Sequence, residues 1–195
     1  MASAHLVRWG GLAAMFASAF WVAFAVRLAS LPEGCVGAEC ELPGRGLRPA
    51  DGLVQALFYA AGLCTALAVA GLLARARAAG TIGRLGRVGL TLLGAGALLL
   101  ITGLLVQELA YGGDFPQMPA VVIPGGLALV LGFLLVTIAT LRTGALPRWA
   151  SALLVGGTLA LIGFNDQNAQ ALLAIPFGLA WLGVGYALWS GAPAS

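Results

Sequence analysis

The chain has 195 residues, of which 61% are hydrophobic and 9% charged, with a formal net charge of +3 and a mean hydropathy of +0.99. This composition excludes a water-soluble domain with a charged surface. The basic residues are ten arginines scattered between apolar runs, which argues against nucleic-acid binding. A run of about 20 apolar residues crosses a bilayer as a helix, because hydrocarbon cannot hydrogen-bond a bare backbone. The composition therefore predicts an integral membrane protein.

Six such runs follow one another and predict an all-α, polytopic bundle of six transmembrane helices in a single domain. The fifth run is the shortest and could instead form a re-entrant hairpin with the sixth. An outer loop, residues 30–51, is the only sizeable segment expected outside the membrane. The predicted spans are Val7–Ala29, Gly52–Ala74, Leu85–Leu109, Pro119–Leu141, Arg148–Phe164 and Gln170–Ser190.

Arginine placement predicts the orientation of the bundle. Positive charge in short loops marks the cytoplasmic side of a membrane protein. The arginines of the N-terminus and of alternate loops are Arg8, Arg75, Arg77, Arg84, Arg87, Arg142 and Arg148. The opposite loops carry all the acids, namely Glu33, Glu39, Glu41, Asp51, Glu108, Asp114 and Asp166, with Arg27, Arg45 and Arg48 among them. Both termini are therefore expected in the cytoplasm, and the N-terminal run is interpreted as an uncleaved first helix.

Two cysteines lie close together in the outer loop. Cys35 and Cys40 are five residues apart on the side predicted to be oxidising, which favours a small disulfide loop. Thiol redox chemistry is the functional alternative, although it commonly uses two intervening residues instead of four. A zinc site is disfavoured because no histidine or further cysteine is nearby.

Polar residues that could enter the membrane zone gather near the outer ends of the helices. Gln55, Glu108 and Asp166 are predicted to face one another across an outward crevice, with Asn165 beside them and Arg27 close enough to balance charge. Ionisable groups at membrane depth are costly and often functional. The alternative is that these side chains are helix caps and solvated loop ends.

Proline and small residues suggest how the helices pack. Pro124 and Pro176 are expected to kink their helices and to widen the outer crevice. Small residues at every fourth position allow helix backbones to approach closely. Three such stripes occur, at Gly62, Ala66, Ala70 and Ala74, at Ala128 and Gly132, and at Ala152, Gly156 and Ala160.

Several activities lack the residues that they require. A membrane cytochrome needs paired histidines for haem, and the only histidine is His5. An ion-coupled transporter usually keeps a carboxylate near mid-membrane, where these helices have none. Neither a phosphate-binding loop nor a metal-ligand cluster is present in the sequence. No cofactor and no metal are therefore predicted, and no catalytic residue is assigned.

Two segments resemble multi-pass membrane proteins of high-GC bacteria. The sequence Gly144-Ala-Leu-Pro-Arg-Trp-Ala150 places Arg-Trp at an inner boundary, and Pro176–Trp189 forms a glycine-rich, aromatic last helix. In this the chain resembles uncharacterised proteins of the domain-of-unknown-function type, over mainly the last three helices. The resemblance implies a bacterial plasma membrane and supplies no catalytic residue.

The leading functional hypothesis is a non-enzymatic membrane protein that acts as an accessory or structural subunit of a larger complex. The helix centres carry no carboxylate, little of the chain lies outside the membrane, and small-residue faces suit helix association. Its expected partners are membrane lipids and other membrane subunits or further copies of itself. The alternatives are a protein that binds or transports a small or lipophilic molecule through the outer crevice, and a lipid-modifying enzyme that uses Glu108 or Asp166.

Overall fold

The computed structural model of the chain describes residues 2–36, 40, 42–44, 46–49, 51–80, 82–111, 115 and 117–191, without the side chains of residues 2, 3 and 108. All regular structure in this part of the chain is helical, as predicted. The helices are α1 (Ala2–Ala29), α2 (Gly52–Ala79), α3 (Gly83–Tyr111), α4 (Met118–Arg142), α5 (Arg148–Ala160) and α6 (Ala174–Trp189). Two short 3-10 helices, Leu161–Gly163 and Ala169–Leu173, join α5 to α6.

Five of these helical segments are long and apolar enough to cross a membrane, the last being Ala169–Trp189, in which a 3-10 turn precedes α6. The α-helical part of α5 has only 13 residues, or about 20 Å at 1.5 Å per residue. The chain after it nevertheless reaches the end of the bundle where α1 stops, because the backbone N–H of Gly34 donates to the carbonyl of Gln167 over 2.8 Å. The fifth segment therefore crosses the bundle and is not a re-entrant hairpin.

The helices pack in an order that differs from their order in the chain. α1 packs against α2 on one side and α6 on the other, α6 packs against α5, α5 against α4, and α4 against α3. Consecutive helices α2 and α3 are thus not packed side by side. α3 makes its substantial contacts with α4 alone, so most of its surface faces outward.

Glycines without side chains set the spacing of α1 from its two neighbours. A Cβ built on Gly10 would lie 2.5 Å from the Cα of Gly71, and one on Gly11 would lie 3.1 Å from the carbonyl oxygen of Gly185. Real side chains do not tolerate the first distance, so α1 and α2 can meet this closely only with glycine at the crossing. Backbone contact of this kind supplies dispersion energy where no hydrophobic driving force operates between helices.

The contact of α3 with α4 follows glycines seven residues apart. Gly89, Gly96 and Gly103 lie opposite Gly132, Gly125 and Val121 in turn, and a Cβ built on each would lie 2.5–2.9 Å from the nearest atom of α4. A seven-residue repeat keeps one narrow seam of a helix against its partner over several turns.

In two of the three small-residue stripes, the first two members do not pack within the chain. Nothing lies within 4 Å of a Cβ built on Gly62 or Gly156, and Ala66 and Ala152 are exposed. α2 instead buries the neighbouring face with Ala61, Thr65, Ala68, Gly71, Leu72 and Ala76. The prediction was correct for Gly132, which lies against Gly89 and Leu93. A four-residue repeat of small residues identifies a possible contact face, and here the larger apolar neighbours decided which face was buried.

An aromatic cluster fills the centre of the bundle. Trp181 and Phe177 of α6 are fully buried and contact Phe133 of α4 edge-on, with ring centroids 5.9 and 5.4 Å away. Towards the end of α1, Trp21 packs edge-on against Phe58 and donates a 3.0 Å hydrogen bond to the Thr65 hydroxyl. Trp21 and Trp181 therefore both pack inside the bundle.

Candidate functional site

The two ends of the bundle carry opposite charge. The end at which α1 begins holds seven of the ten arginines. No acidic residue occurs in the sequence segments at this end, which are 1–10, 72–90, 140–150 and 185–195. We call this end the arginine-rich end. The sequence segments that lead to the other end, at which α1 stops, contain all seven acidic residues, and we call it the acidic end. Here the described residues of the predicted outer loop (30–36, 40, 42–44, 46–49 and 51) lie against the junction between α5 and α6; we call them the cap segment.

A disulfide stabilises the first half of the cap segment. Cys35 and Cys40 are bonded, with Cα atoms 5.0 Å apart, as the sequence predicted. Cys35 is 2% exposed, and its backbone N–H donates to the carbonyl of Gly46 over 2.9 Å. The disulfide closes a loop between cysteines five residues apart, as predicted, and the separate backbone hydrogen bond of Cys35 ties that loop to the later part of the cap segment.

Arg48 joins the cap segment to the α5–α6 junction. Its side chain is 9% exposed, and its guanidinium donates to two backbone carbonyls, through Nε to Pro32 at 2.9 Å and through Nη1 to Asp166 at 2.5 Å. Its second terminal nitrogen, Nη2, is buried without a hydrogen-bond partner. Within the described residues, this cation is therefore held by carbonyl dipoles and not by a carboxylate.

Gln167 completes the connection from the other side. Its side-chain oxygen accepts a 2.7 Å hydrogen bond from the backbone N–H of Arg48, and its carbonyl accepts one from Gly34. Asn165 orients it, because the Asn165 side chain accepts a 2.8 Å hydrogen bond from the Gln167 backbone N–H. A Cβ on Gly34 would collide with both Gln167 and Arg48, so only glycine permits this close approach.

A second polar contact joins α1 to α2 at the same end. Arg27 and Asp51 form an ion pair with a nitrogen–oxygen distance of 2.5 Å. Asp51 also caps α2 by accepting a 2.9 Å hydrogen bond from the Val54 backbone N–H. That hydrogen bond, followed by the pairing with Arg27, lowers the pKa of Asp51 below the usual range of an aspartate.

The described partners of the predicted site residues are mostly residues outside the predicted set. Arg27 pairs with Asp51, while Gln55 is exposed one turn into α2. Asp166 is also exposed and contributes its carbonyl, not its carboxylate, to the binding of Arg48. The side chain of Glu108 lies outside the described residues, and its convergence with Gln55 and Asp166 stays a prediction.

Pro176 is the third residue of α6 and follows directly on the 3-10 helix Ala169–Leu173, and the expected kink there stays a prediction. Pro124 lies well inside α4, which is a continuous helix from Met118 to Arg142. Asn168 caps the last helical segment, because its side chain accepts a hydrogen bond from the backbone N–H of Gln170.

Sequence reasoning missed Arg48 and Gln167 as a pair. They are 119 residues apart, and Arg48 was interpreted only as an exception to the charge asymmetry. The sequence does show an arginine in a short loop rich in glycine and proline, but such a loop does not identify the residue that the arginine contacts. Among the described residues, no three histidine, cysteine, aspartate or glutamate side chains are grouped so that they could hold a metal ion.

The helices and their charge distribution define the class of this chain, an all-α polytopic membrane protein whose acidic end is covered by a disulfide-bonded cap. Comparison with protein-family models, with curated proteins and with solved structures gives no match to this chain. What the protein does must therefore be inferred from its own surfaces.

Proposed function

We propose that the protein is a non-enzymatic subunit of a larger assembly in a bacterial plasma membrane. The observation that carries this proposal is the uncovered small-residue face of α2. Gly62 and Ala66 lie one turn apart and are both exposed, and nothing is within 4 Å of a Cβ on Gly62. Other glycines of this chain, such as Gly10, Gly71 and Gly89, bring two helices into backbone contact.

The exposed neighbours of that face support association with a helix. Leu63 and Leu67 flank the glycine–alanine pair and are 65% and 52% exposed. A partner helix could approach Gly62 and Ala66 closely and pack its side chains against both leucines, as small-xxx-small faces do in membranes. α3 adds a second outward apolar surface, with Leu98 68% and Leu109 83% exposed. Lipid covers exposed leucines as readily as a protein does, so the leucines alone do not indicate a partner. The glycine–alanine face does, because its small residues allow a second helix to approach closely.

The test compares two glycines that are both uncovered. The protein is extracted from native membranes in a mild detergent, and co-purifying molecules are identified by mass spectrometry. We expect Gly62→Leu to reduce the recovered partner, or the fraction of self-associated protein, about tenfold, a loss of about 1.4 kcal/mol of contact energy. Gly94→Leu on α3, where nothing lies within 4 Å either, should leave recovery unchanged.

Three results would contradict the proposal. They are a monomer without a stoichiometric partner, equal recovery with Gly62→Leu, and equal losses with both variants. A small molecule recovered at stoichiometric amounts in place of a protein would instead favour the alternative, a protein that binds or transports a small or lipophilic molecule through the predicted outer crevice.

The proposal places both termini in the cytoplasm, on the basis of the seven arginines at that end. Fusions after Ser195 test this placement. A fluorescent reporter that folds only in the cytoplasm should be active, and alkaline phosphatase should be inactive. The reverse pattern would show that the C-terminus lies outside the cytoplasm and would contradict this orientation.

A further inference from the structure

An open groove lies at the arginine-rich end, between the start of α1 and the end of α6. It encloses about 220 Å³ and is lined by His5, Arg8, Trp9, Leu12 and Trp189. The two tryptophans are 68% and 41% exposed. Tryptophan at a helix end places its amphipathic ring at the level of the lipid headgroups. The groove therefore opens where the phosphates of one leaflet lie.

Arg8 is oriented at the mouth of this groove by Trp189. Its guanidinium carbon lies 4.9 Å from the centre of the indole ring. The ring holds the guanidinium through a cation–π contact and leaves its N–H groups free to bind an anion in the plane of the fork. Within the described residues Arg8 has no ion pair, and the sequence places no acidic side chain at this end. The site is a cation without a counter-charge.

The walls of the groove are apolar and continue into the membrane zone. Trp9, Leu12 and Phe16 recur at the three- and four-residue spacing that puts side chains on one face of a helix, and Phe16 is 59% exposed. The stretch from Trp9 to Phe16 covers about 10 Å of helix length. A free inorganic anion would use only the mouth, whereas a molecule with both an anionic head and an apolar tail would use the whole surface.

We propose that this groove is a binding site for one anionic phospholipid of the adjacent leaflet. Arg8 and His5 donate hydrogen bonds to the phosphate diester, and an acyl chain lies along Trp9, Leu12 and Phe16. Guanidinium and phosphate form strong, charge-assisted hydrogen bonds. The excess of arginine around the site favours a headgroup with net negative charge over a zwitterionic one.

Native mass spectrometry of the full chain in detergent measures this directly. Phosphatidylglycerol and phosphatidylcholine with the same acyl chains are titrated separately, and inorganic phosphate serves as the probe without a tail. We expect one saturable phosphatidylglycerol site, with about tenfold weaker binding of phosphatidylcholine. Inorganic phosphate should not displace the bound lipid at equal concentration. Equal affinity for the two lipids, or displacement by phosphate, would overturn the proposal.

Two arginine–tryptophan pairs at the same end allow a matched control. Arg148 adjoins Trp149 at the start of α5, is exposed, and does not line the groove. Arg8→Ala should weaken phosphatidylglycerol binding about tenfold, and Arg148→Ala should leave it unchanged. Arg8→Lys keeps the charge but loses the planar contact with Trp189. The phosphatidylglycerol affinity of this variant should therefore lie between those of Arg8→Ala and Arg148→Ala.

Because Arg8 is exposed, these variants are expected to fold, and Arg8→Gln provides a second neutral variant. Thermal unfolding in lipid-free detergent verifies that each variant is folded before the titration. A folded Arg8→Ala or Arg8→Gln protein with unchanged affinity, or an Arg148→Ala protein that weakens equally, would show that the charge of the whole end and not the groove attracts lipid, and would overturn the site.

Discussion

The two ends of the bundle use arginine in opposite ways. At the acidic end, Arg48 is nearly buried and donates to two backbone carbonyls that belong to segments far apart in the chain. At the arginine-rich end, Arg8 is exposed and contacts an aromatic face. Both residues are arginines and carry the same charge. The surroundings of each arginine therefore decide whether it stabilises the fold or remains available to a ligand.

The strongest test of this contrast is the replacement of each arginine by alanine. Arg48→Ala leaves the carbonyls of Pro32 and Asp166 without their donor, and hydrogen bonds to a charged group contribute roughly 1.5–3 kcal/mol each. Relief from burying the cation offsets part of this, so we expect a loss of about 2–4 kcal/mol in the free energy of unfolding. Arg8→Ala should cost less than about 1 kcal/mol. Unfolding of both variants in the same detergent measures the difference, and equal losses would remove the contrast.

A glycine pair within the cap segment tests how tightly it is packed. A side chain on Gly34 would collide with Gln167 and Arg48, whereas nothing lies within 4 Å of a Cβ on Gly46. Gly34→Ala should therefore displace the cap segment and cost about 1–3 kcal/mol, the usual range for overpacking. Gly46→Ala should be close to neutral. The readout is thermal unfolding together with proteolysis of the cap segment, and faster cleavage of Gly46→Ala than of Gly34→Ala would contradict this account.

The smallest expected effect concerns pH at the acidic end. The pKa of Asp51 is lowered in the folded protein, so its contribution to stability is complete above about pH 3.9, the ordinary pKa of an aspartate. That contribution is lost as the pH falls from there through the lower pKa of the folded state. Asp51→Asn should flatten the decline in melting temperature in this window. Asp166→Asn, which removes an exposed carboxylate without a described ion pair, should leave the decline unchanged.

The helices could be predicted from the sequence, but the helix contacts could not. Apolar runs of sufficient length indicate membrane helices because the backbone must satisfy its own hydrogen bonds in lipid, which is a local requirement. Which face of α2 is buried depends on the shape of α1, and the small stripe that begins at Gly62 does not by itself show whether its partner lies within the chain. The seven-residue glycine repeat of α3 was the better indicator of contact, because it matched an equally small seam on α4.

The candidate site shows the same division. The Cys35–Cys40 disulfide was predictable because both residues lie in one short loop and sequence separation limits their distance. The structure pairs Arg27 with Asp51, which is 24 residues away and which was not among the predicted site residues. The sequence places several acidic residues at the same end as Arg27, so charge alone does not identify its partner. The packing of α1 on α2 selects one of them.

The sequence by itself determined that this protein is an all-α membrane bundle, that its charges are segregated between two ends, and that two cysteines close a small loop. These properties follow from local composition and from spacing along the chain. Tertiary structure alone decided that Arg48 and Gln167 meet, that α3 packs on α4 and not on α2, and that Arg8 lies over Trp189 at the mouth of a groove. Each of these contacts joins residues far apart in the chain, so its existence depends on which helix faces approach, and that is decided by the side-chain volumes of the whole bundle together.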